Sequence, residues 1–233
     1  MRVAVVRFPG SNCEPEACRA VERAGGEAYY VWHRDTSLLG ADAVILPGGF
    51  SYGDYLRSGA IARFSPVMEA IKRHAAADGP VLGICNGFQI LCEAGLLPGA
   101  LVRNAGLKYV SRPVDVRVER VDTPFTSLYQ VGQVIRIPIG HGEGRFSAPA
   151  SLLDQLEAEG RVVLRYTGAP DSDFSANPNG SVQDIAAVCS ANGNVVGMMP
   201  HPERLADRVL GSDAGQGVFA SLIRYPLTLT PGS

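Results

Sequence analysis

Short apolar runs alternate along the first hundred residues with stretches in which apolar residues recur every three or four positions. The runs are residues 3–7, 28–32, 43–46 and 81–84. Apolar runs of this length, without a sustained polar face, predict strands buried on both sides. The segment 14–25 carries Ala17, Val21 and Ala24 at helical spacing, and 58–76 carries Ile61, Phe64, Met68 and Ile71. A third helix is predicted from about Gly87 to Ala94. Strands separated by helices predict parallel βαβ units and a sheet covered on both faces.

Beyond residue 110 the period changes. Val114, Val116, Val118 and Val121 alternate with polar residues over 113–121, and 134–139 alternates again. These read as antiparallel additions with one polar face. A short helix is predicted at 152–159 and a strand at 162–166. The stretch 167–182 is rich in Gly, Asp, Ser, Asn and Pro, and loops of that length are usually functional or mobile. Residues 185–189 and 195–199 flank Asn192-Gly193, a hairpin signal. A helix near 214–223 closes a single domain of residues 1–225, leaving 226–233 as a frayed tail.

Composition narrows the class. The chain has 233 residues, 46% hydrophobic and 19% charged, as in ordinary globular domains. A formal charge of −2 gives no electrostatic reason to expect nucleic acid or an anionic membrane as partner. No apolar run approaches a membrane span. The five cysteines, Cys13, Cys18, Cys85, Cys92 and Cys189, are odd in number and lack framework spacing. That predicts free thiols and a cytoplasmic location. Cys13 and Cys18 have no histidine near them in sequence, so no metal site is predicted.

Three glycine-bearing loops follow predicted strands: Pro9-Gly10-Ser11-Asn12, Pro47-Gly48-Gly49-Phe50 and Gly83-Ile84-Cys85-Asn86-Gly87. In an open parallel sheet such loops converge on one edge, where ligands bind. The third is a strand–elbow–helix pattern with cysteine as the raised residue. The helix that follows points its positive end at the sulfur, favouring a nucleophilic role for Cys85. A buried structural cysteine is the plainer alternative. Cys92 falls within the helix and reads as core.

A nucleophile needs a base and a group to orient it. His74, near a helix end, reads as solvated, and His33 as surface or site rim. His201 lies between two prolines after a strand, with Glu203 two residues on. Extended backbone would point both side chains the same way, giving the triad Cys85–His201–Glu203. The Asn86 amide and an amide of Gly48-Gly49 are the candidate oxyanion donors. His141 is the other candidate base; its loop, His141-Gly142-Glu143-Gly144-Arg145, carries both charge signs and either holds a substrate's charged end or is a hairpin connection. No Gly-x-Gly-x-x-Gly or Walker pattern is present, so no ATP site is predicted in this chain.

The set Gly83-Ile84-Cys85-Asn86-Gly87-Phe88-Gln89 with His201-Pro202-Glu203 resembles the class I, triad-type glutamine amidotransferases. More narrowly, the chain is similar to the family of glutaminase subunits of phosphoribosylformylglycinamidine synthases. That likeness rests on Pro9–Cys13, on the run from Gly49 to Ala62, on His141–Phe146, on Asn177–Ser181 and on Met199–Arg204. Ala187-Val188-Cys189 departs mildly from the expected strand. The resemblance implies an α/β fold: a single-domain, flavodoxin-like open sheet with mostly parallel central strands, helices on both faces and antiparallel additions. It implies that Cys85 attacks glutamine, that His201 and Glu203 serve it, and that Gly49 and Asn86 bind the oxyanion. Gly48, Phe50, Gln89 and His141 are the expected substrate contacts. L-Glutamine, a large synthetase subunit using ATP and Mg, and a small bridging subunit are the implied partners, with no cofactor in this chain. Another cysteine-elbow hydrolase and a catalytically silent binding module are the competing readings.

Overall fold

The computed structural model describes residues 1–168 and 176–226. Among these, the elements run β1 (Arg2–Arg7), α1 (Glu14–Arg23), β2 (Glu27–Trp32), β3 (Ala43–Leu46), α2 (Val67–Ala76), β4 (Val81–Ile84), α3 (Asn86–Glu93) and β5 (Ala100–Val102). They continue with β6 (Val110–Val118), β7 (Val134–His141), β8 (Arg145–Ser147), α4 (Ala150–Ala158), β9 (Val162–Thr167), β10 (Ile185–Cys189), β11 (Val195–Met198) and α5 (Gln216–Arg224).

Nine strands form one sheet in the order β2-β1-β3-β4-β11-β10-β9-β6-β7. The five from β2 to β11 are parallel, and β10, β9, β6 and β7 continue antiparallel. Every residue of β3, β4 and β11 is buried, which is why these strands read as unbroken apolar runs. The chain leaves β1 toward β2 on one side, then steps to β3 and β4 on the other. Right-handed crossovers in opposite directions put α1 and α2 on opposite faces. α1 turns Ala17, Cys18, Ala20 and Val21 inward, and its proline sits in the first turn, where no N–H is needed. Each fully buried Val or Leu of this kind contributes about 1.5–3 kcal/mol.

The helix predicted over 58–76 is interrupted. Residues 62–64 form a 3-10 turn, Ser65 is extended with ψ 140°, and α2 begins only after Pro66. Proline lacks an N–H and disfavours helical geometry in the residue before it. The alternating strand predicted at 113–121 starts earlier and ends earlier, because Val110 pairs with His141 at the far end of β7. Pro113 faces Pro138 in that ladder. The pair is tolerated because β7 is an edge strand and β9 meets β6 only over Asp115–Val118. The small β5–β8 ladder had no signal in the sequence, since three residues are too few to show a period. The Asn192-Gly193 hairpin joins β10 to β11 as predicted. Part of the 167–182 loop (169–175) and most of the predicted tail (227–233) lie outside the described residues.

Candidate active site

β4 carries the chain to Cys85, and α3 starts at the next residue. Cys85 has φ 50° and ψ −102°, a left-handed conformation that costs a side-chain-bearing residue about 1–3 kcal/mol. The turn is possible because its flanks are bare. A Cβ on Gly87 would lie 1.9 Å from the Leu46 carbonyl oxygen, and one on Gly83 would lie 2.7 Å from the Gly87 backbone. The Cys85 N–H donates to Met198 O at 2.8 Å, which ties the elbow to the end of β11.

That strand end also delivers His201. Its N–H donates to Pro138 O at 2.8 Å, and its Nδ1 lies 2.6 Å from Glu203 Oε1. Both side chains are buried. Glu203 reaches His201 from a 3-10 turn, Pro202–Leu205, and not from the extended backbone that the i, i+2 spacing suggested. With Nδ1 engaged, Nε2 is left for the thiol and has no hydrogen-bond partner at rest. Burial alone would lower the proton affinity of His201. The Glu203 carboxylate, helped by the nearby Cys85 sulfur, outweighs it, so His201 titrates well above the usual histidine value.

Gly49 has φ 138°, and a Cβ there would lie 2.6 Å from Ser11 Cα. The neighbouring Phe50 N–H is spent on Gly10 O at 3.0 Å, whereas the Gly49 and Asn86 amides donate no backbone hydrogen bond among the described residues. Gly49 and Cys85, the residue before Asn86, line one cavity, so these two amides are candidate oxyanion donors. Gly48 serves a different purpose from the expected substrate contact. A Cβ on it would lie 2.6 Å from His201 Cε1, so its bareness seats the imidazole.

A cavity of about 150 Å³ opens over Cys85, lined also by Gly49, Phe50, Gln89, Tyr109 and the segment from Gly140 to Glu143. Asp54, Ser58 and Glu143 complete it, and no lysine or arginine lines it. Asp54 reaches it from a turn in which Tyr52, Gly53 and Asp54 are all left-handed. Burial pushes the Asp54 carboxyl up, and the charge of Glu143 adds to this against hydrogen bonds from Ser58 and Asn86. A roomier cavity of about 320 Å³ lies beyond Glu203, between Glu16, Arg19, Arg23 and Asp207, but it contains no nucleophile.

Gln89 lines the cavity with its amide engaged at both ends: Nε2 donates to Glu143 O at 2.6 Å, and Oε1 accepts from Asn86 Nδ2 at 2.9 Å. His141 also lines it, but its ring is held by the loops. Nδ1 lies 3.1 Å from Asn104 Oδ1, and Nε2 accepts from Asn179 Nδ2 at 3.5 Å. Burial, with the charge of His201, pushes His141 down to about 4, so the neutral ring cannot pair with a substrate carboxylate at neutral pH. The sign of its effect on stability follows. Unfolded chains bind this proton below about pH 6.5 and the folded chain only near 4, so stability is full above 6.5 and falls as pH drops through that window. Between pH 7 and 4.5, His141→Gln should lose about 2.5 kcal/mol less unfolding free energy than the parent chain. Equal losses in urea titrations at the two pH values would remove this account.

The remaining candidates sort by environment. His33 is neither surface nor rim: it is buried, with Nδ1 2.7 Å from Tyr52 Oη, which meets Ser65 Oγ at 2.9 Å. His74 is partly buried against Pro80 O. Burial pushes the thiols of Cys18, Cys92 and Cys189 up; Cys18 and Cys189 belong to the core, whereas Cys92, expected there, is only half-buried against it. Cys13, remote from histidine in sequence, is beside His201 in space. The ligand atoms of Cys13, His201 and Glu203 lie within 4.8 Å of one another. In this structure His201 Nδ1 is engaged with Glu203 Oε1 at 2.6 Å, and Arg204 Nη2 donates to Cys13 Sγ at 3.2 Å. Among the described residues, no helix is long and apolar enough to cross a membrane.

Three comparisons bear on this site. Residues 1–218 match the model of the CobB/CobQ-like glutamine amidotransferase domain. The chain is 58% identical over 223 residues to phosphoribosylformylglycinamidine synthase subunit PurQ of Rubrobacter xylanophilus, covering 96% of this chain and 98% of the relative. It is 57% identical to the Thermus thermophilus protein of the same name over 224 residues, with the same coverage. Among solved structures, a chain of PurLQS from Thermotoga maritima superposes with a TM-score of 0.85 at 44% identity, over 96% of this chain and 98% of that one. A Thermotoga maritima glutamine amidotransferase, at 18% identity and a TM-score of 0.59 over 96% of both chains, shares the fold.

Proposed function

The chain belongs to the CobB/CobQ-like glutamine amidotransferase family, and from that premise we propose that it is the glutamine-hydrolysing subunit of a phosphoribosylformylglycinamidine synthase. The observation that carries the mechanism is one cavity holding an elbow cysteine, a His201–Glu203 pair and two unspent backbone amides. Relatives of nearly equal length that carry the PurQ name support the assignment.

In this reading the glutamine side chain enters over Cys85. Its cationic α-amino group lies against the carboxylates of Asp54 and Glu143, the latter also 3.7 Å from Arg103. Neither carboxylate was singled out from the sequence. The Cys85 sulfur attacks the amide carbon while His201 Nε2 takes the thiol proton. Charge on the former carbonyl oxygen falls on the Gly49 and Asn86 N–H groups. His201 returns the proton to nitrogen, the C–N bond breaks, and ammonia leaves behind a glutamyl thioester. Water, deprotonated by His201, attacks the thioester, and glutamate departs with Cys85 restored.

The ammonia passes to a large synthetase subunit, which uses ATP and Mg to form the amidine of formylglycinamide ribonucleotide. A small bridging subunit completes the assembly, and this chain needs no cofactor of its own. Free hydrolysis would waste glutamine, so low turnover is expected from the chain alone and full turnover with the synthetase. The test is ammonia and glutamate release from glutamine, measured with and without the cognate synthetase subunits. No ammonia from the complete assembly would rule the reading out.

A further inference from the structure

Asn86 is fully buried, yet it carries an amide side chain. Its backbone N–H is one of the two oxyanion donors assigned above, and the other, Gly49, lies on a different loop. The side chain joins the two. Asn86 Oδ1 accepts from the N–H of Ser51, two residues beyond Gly49, at 3.1 Å. Its Nδ2 donates to Gln89 Oε1 at 2.9 Å and to Asp54 Oδ1 at 3.3 Å. Gln89 passes the connection to the Glu143 carbonyl, and the Glu143 carboxylate accepts from Ser58 Oγ at 2.9 Å. The ring of contacts returns to the loop it started from.

Farther along, Arg57 donates to Glu93 at the far end of α3 at 2.6 and 2.7 Å, but the other bonds nearest Gly49 point elsewhere. Phe50 N–H donates to Gly10 O at 3.0 Å and Tyr52 N–H to Pro9 O at 2.6 Å, which fixes residues 49–54 to the turn after β1. Nothing in those bonds sets the loop's distance from the elbow.

We propose that the Asn86 side chain is a positioning residue for the oxyanion hole: by clamping Ser51 to the nucleophile helix, it sets the spacing of the Gly49 and Asn86 N–H groups. The proposal rests on the glutamine-hydrolysing reading above. It also explains the residue type. One planar group must accept from Ser51 and donate toward Gln89 and Asp54, which an amide does and neither a carboxylate nor a hydrocarbon can. Aspartate would keep the Ser51 bond but set an oxygen against two oxygens. Leucine would fill the space and leave the Ser51 N–H unpaired.

The test uses the full chain with its synthetase subunits, as Asn86→Leu and, should that variant fold poorly, Asn86→Asp. Misplaced donors should lower kcat for glutamine about 10- to 100-fold, with a smaller change in KM. Alkylation of Cys85 by iodoacetamide, which builds no oxyanion, should stay within about twofold of the parent rate. Hydrogen exchange at the Ser51 amide should accelerate in the Leu variant, which removes its acceptor. Unchanged kcat overturns the proposal, as does alkylation that falls in step with kcat, since the elbow itself would then have collapsed. Unchanged Ser51 exchange in the Leu variant overturns it without any turnover being measured. A parent assembly that releases no ammonia sinks instead the reading on which it rests.

Discussion

Cys85→Gly should abolish ammonia release from glutamine and, at the same time, yield a more stable fold than Cys85→Ala. The loss of turnover is the larger effect. Without a sulfur no thioester forms, and removing the nucleophile from a triad costs at least about 10⁴-fold in kcat. The stability effect comes from the backbone. Cys85 sits at φ 50° and ψ −102°. Alanine must hold that conformation as cysteine does, at about 1–3 kcal/mol, whereas glycine enters it freely. Glycine loses about 0.5–1 kcal/mol through its greater freedom in the unfolded chain, so the net gain over alanine should be about 1 kcal/mol. Urea unfolding of the two inactive variants measures the difference directly, with no contribution from the sulfur. Equal stability would mean that the elbow is unstrained, and residual turnover in either variant would remove Cys85 as nucleophile.

This strain shows how far the sequence alone could go. The glycines at 83 and 87 signalled a tight elbow: a Cβ on Gly87 would meet the Leu46 carbonyl oxygen at 1.9 Å, so only a bare backbone lets α3 pack this close to β3. The parallel strands were legible for a related reason: β3, β4 and β11 are buried on both faces and so show no polar residue at all. The break at Pro66 was legible too, but the apolar spacing of Ile61, Phe64, Met68 and Ile71 carried across it. Periodicity reports which side chains face the core, and a 3-10 turn followed by a helix can satisfy it as well as one helix.

The site divides in the same way. Cys85, His201 and Glu203, which the structure brings together, were legible because each sits beside a residue that restricts the backbone: glycine for the first, proline for the others. Asp54, Ser58, Tyr109 and the carboxylate of Glu143 were missed as cavity-lining groups. They come from loops whose path depends on contacts remote in sequence, such as Ser58 with Glu143. His141 was found for the wrong property. Its place on the cavity wall follows from the loop after β7, but Asn104 and Asn179 hold its ring, and burial with the charge of His201 keeps it neutral. Cys13 could not have been placed beside His201, since 188 positions of sequence separate them and only the parallel sheet brings their loops to one edge.

Glu203→Gln is the second change with a large expected effect, because it removes one charge and almost nothing else. The glutamine amide can still accept from His201 Nδ1 where Glu203 Oε1 now lies at 2.6 Å, so ring position should be kept. What disappears is the carboxylate that opposes burial. Burial by itself lowers the proton affinity of His201, and Glu203 is the main group reversing that. In the variant the imidazolium formed on taking the Cys85 proton has no counter-charge, and kcat should fall about 10²- to 10⁴-fold. The acidic limb of the kcat–pH profile should move to lower pH, since His201 must be unprotonated to take a proton and would hold one less tightly. Stability carries the same signature with a fixed sign. A histidine raised in the folded state contributes fully below its unfolded value near 6.5, and that contribution fades as pH rises through the folded value. The parent's advantage over Glu203→Gln in unfolding free energy should therefore be largest near pH 6 and shrink toward alkaline pH. A variant with reduced kcat but an unmoved profile and a pH-independent stability difference would show that Glu203 only holds the ring in place, and does not charge it.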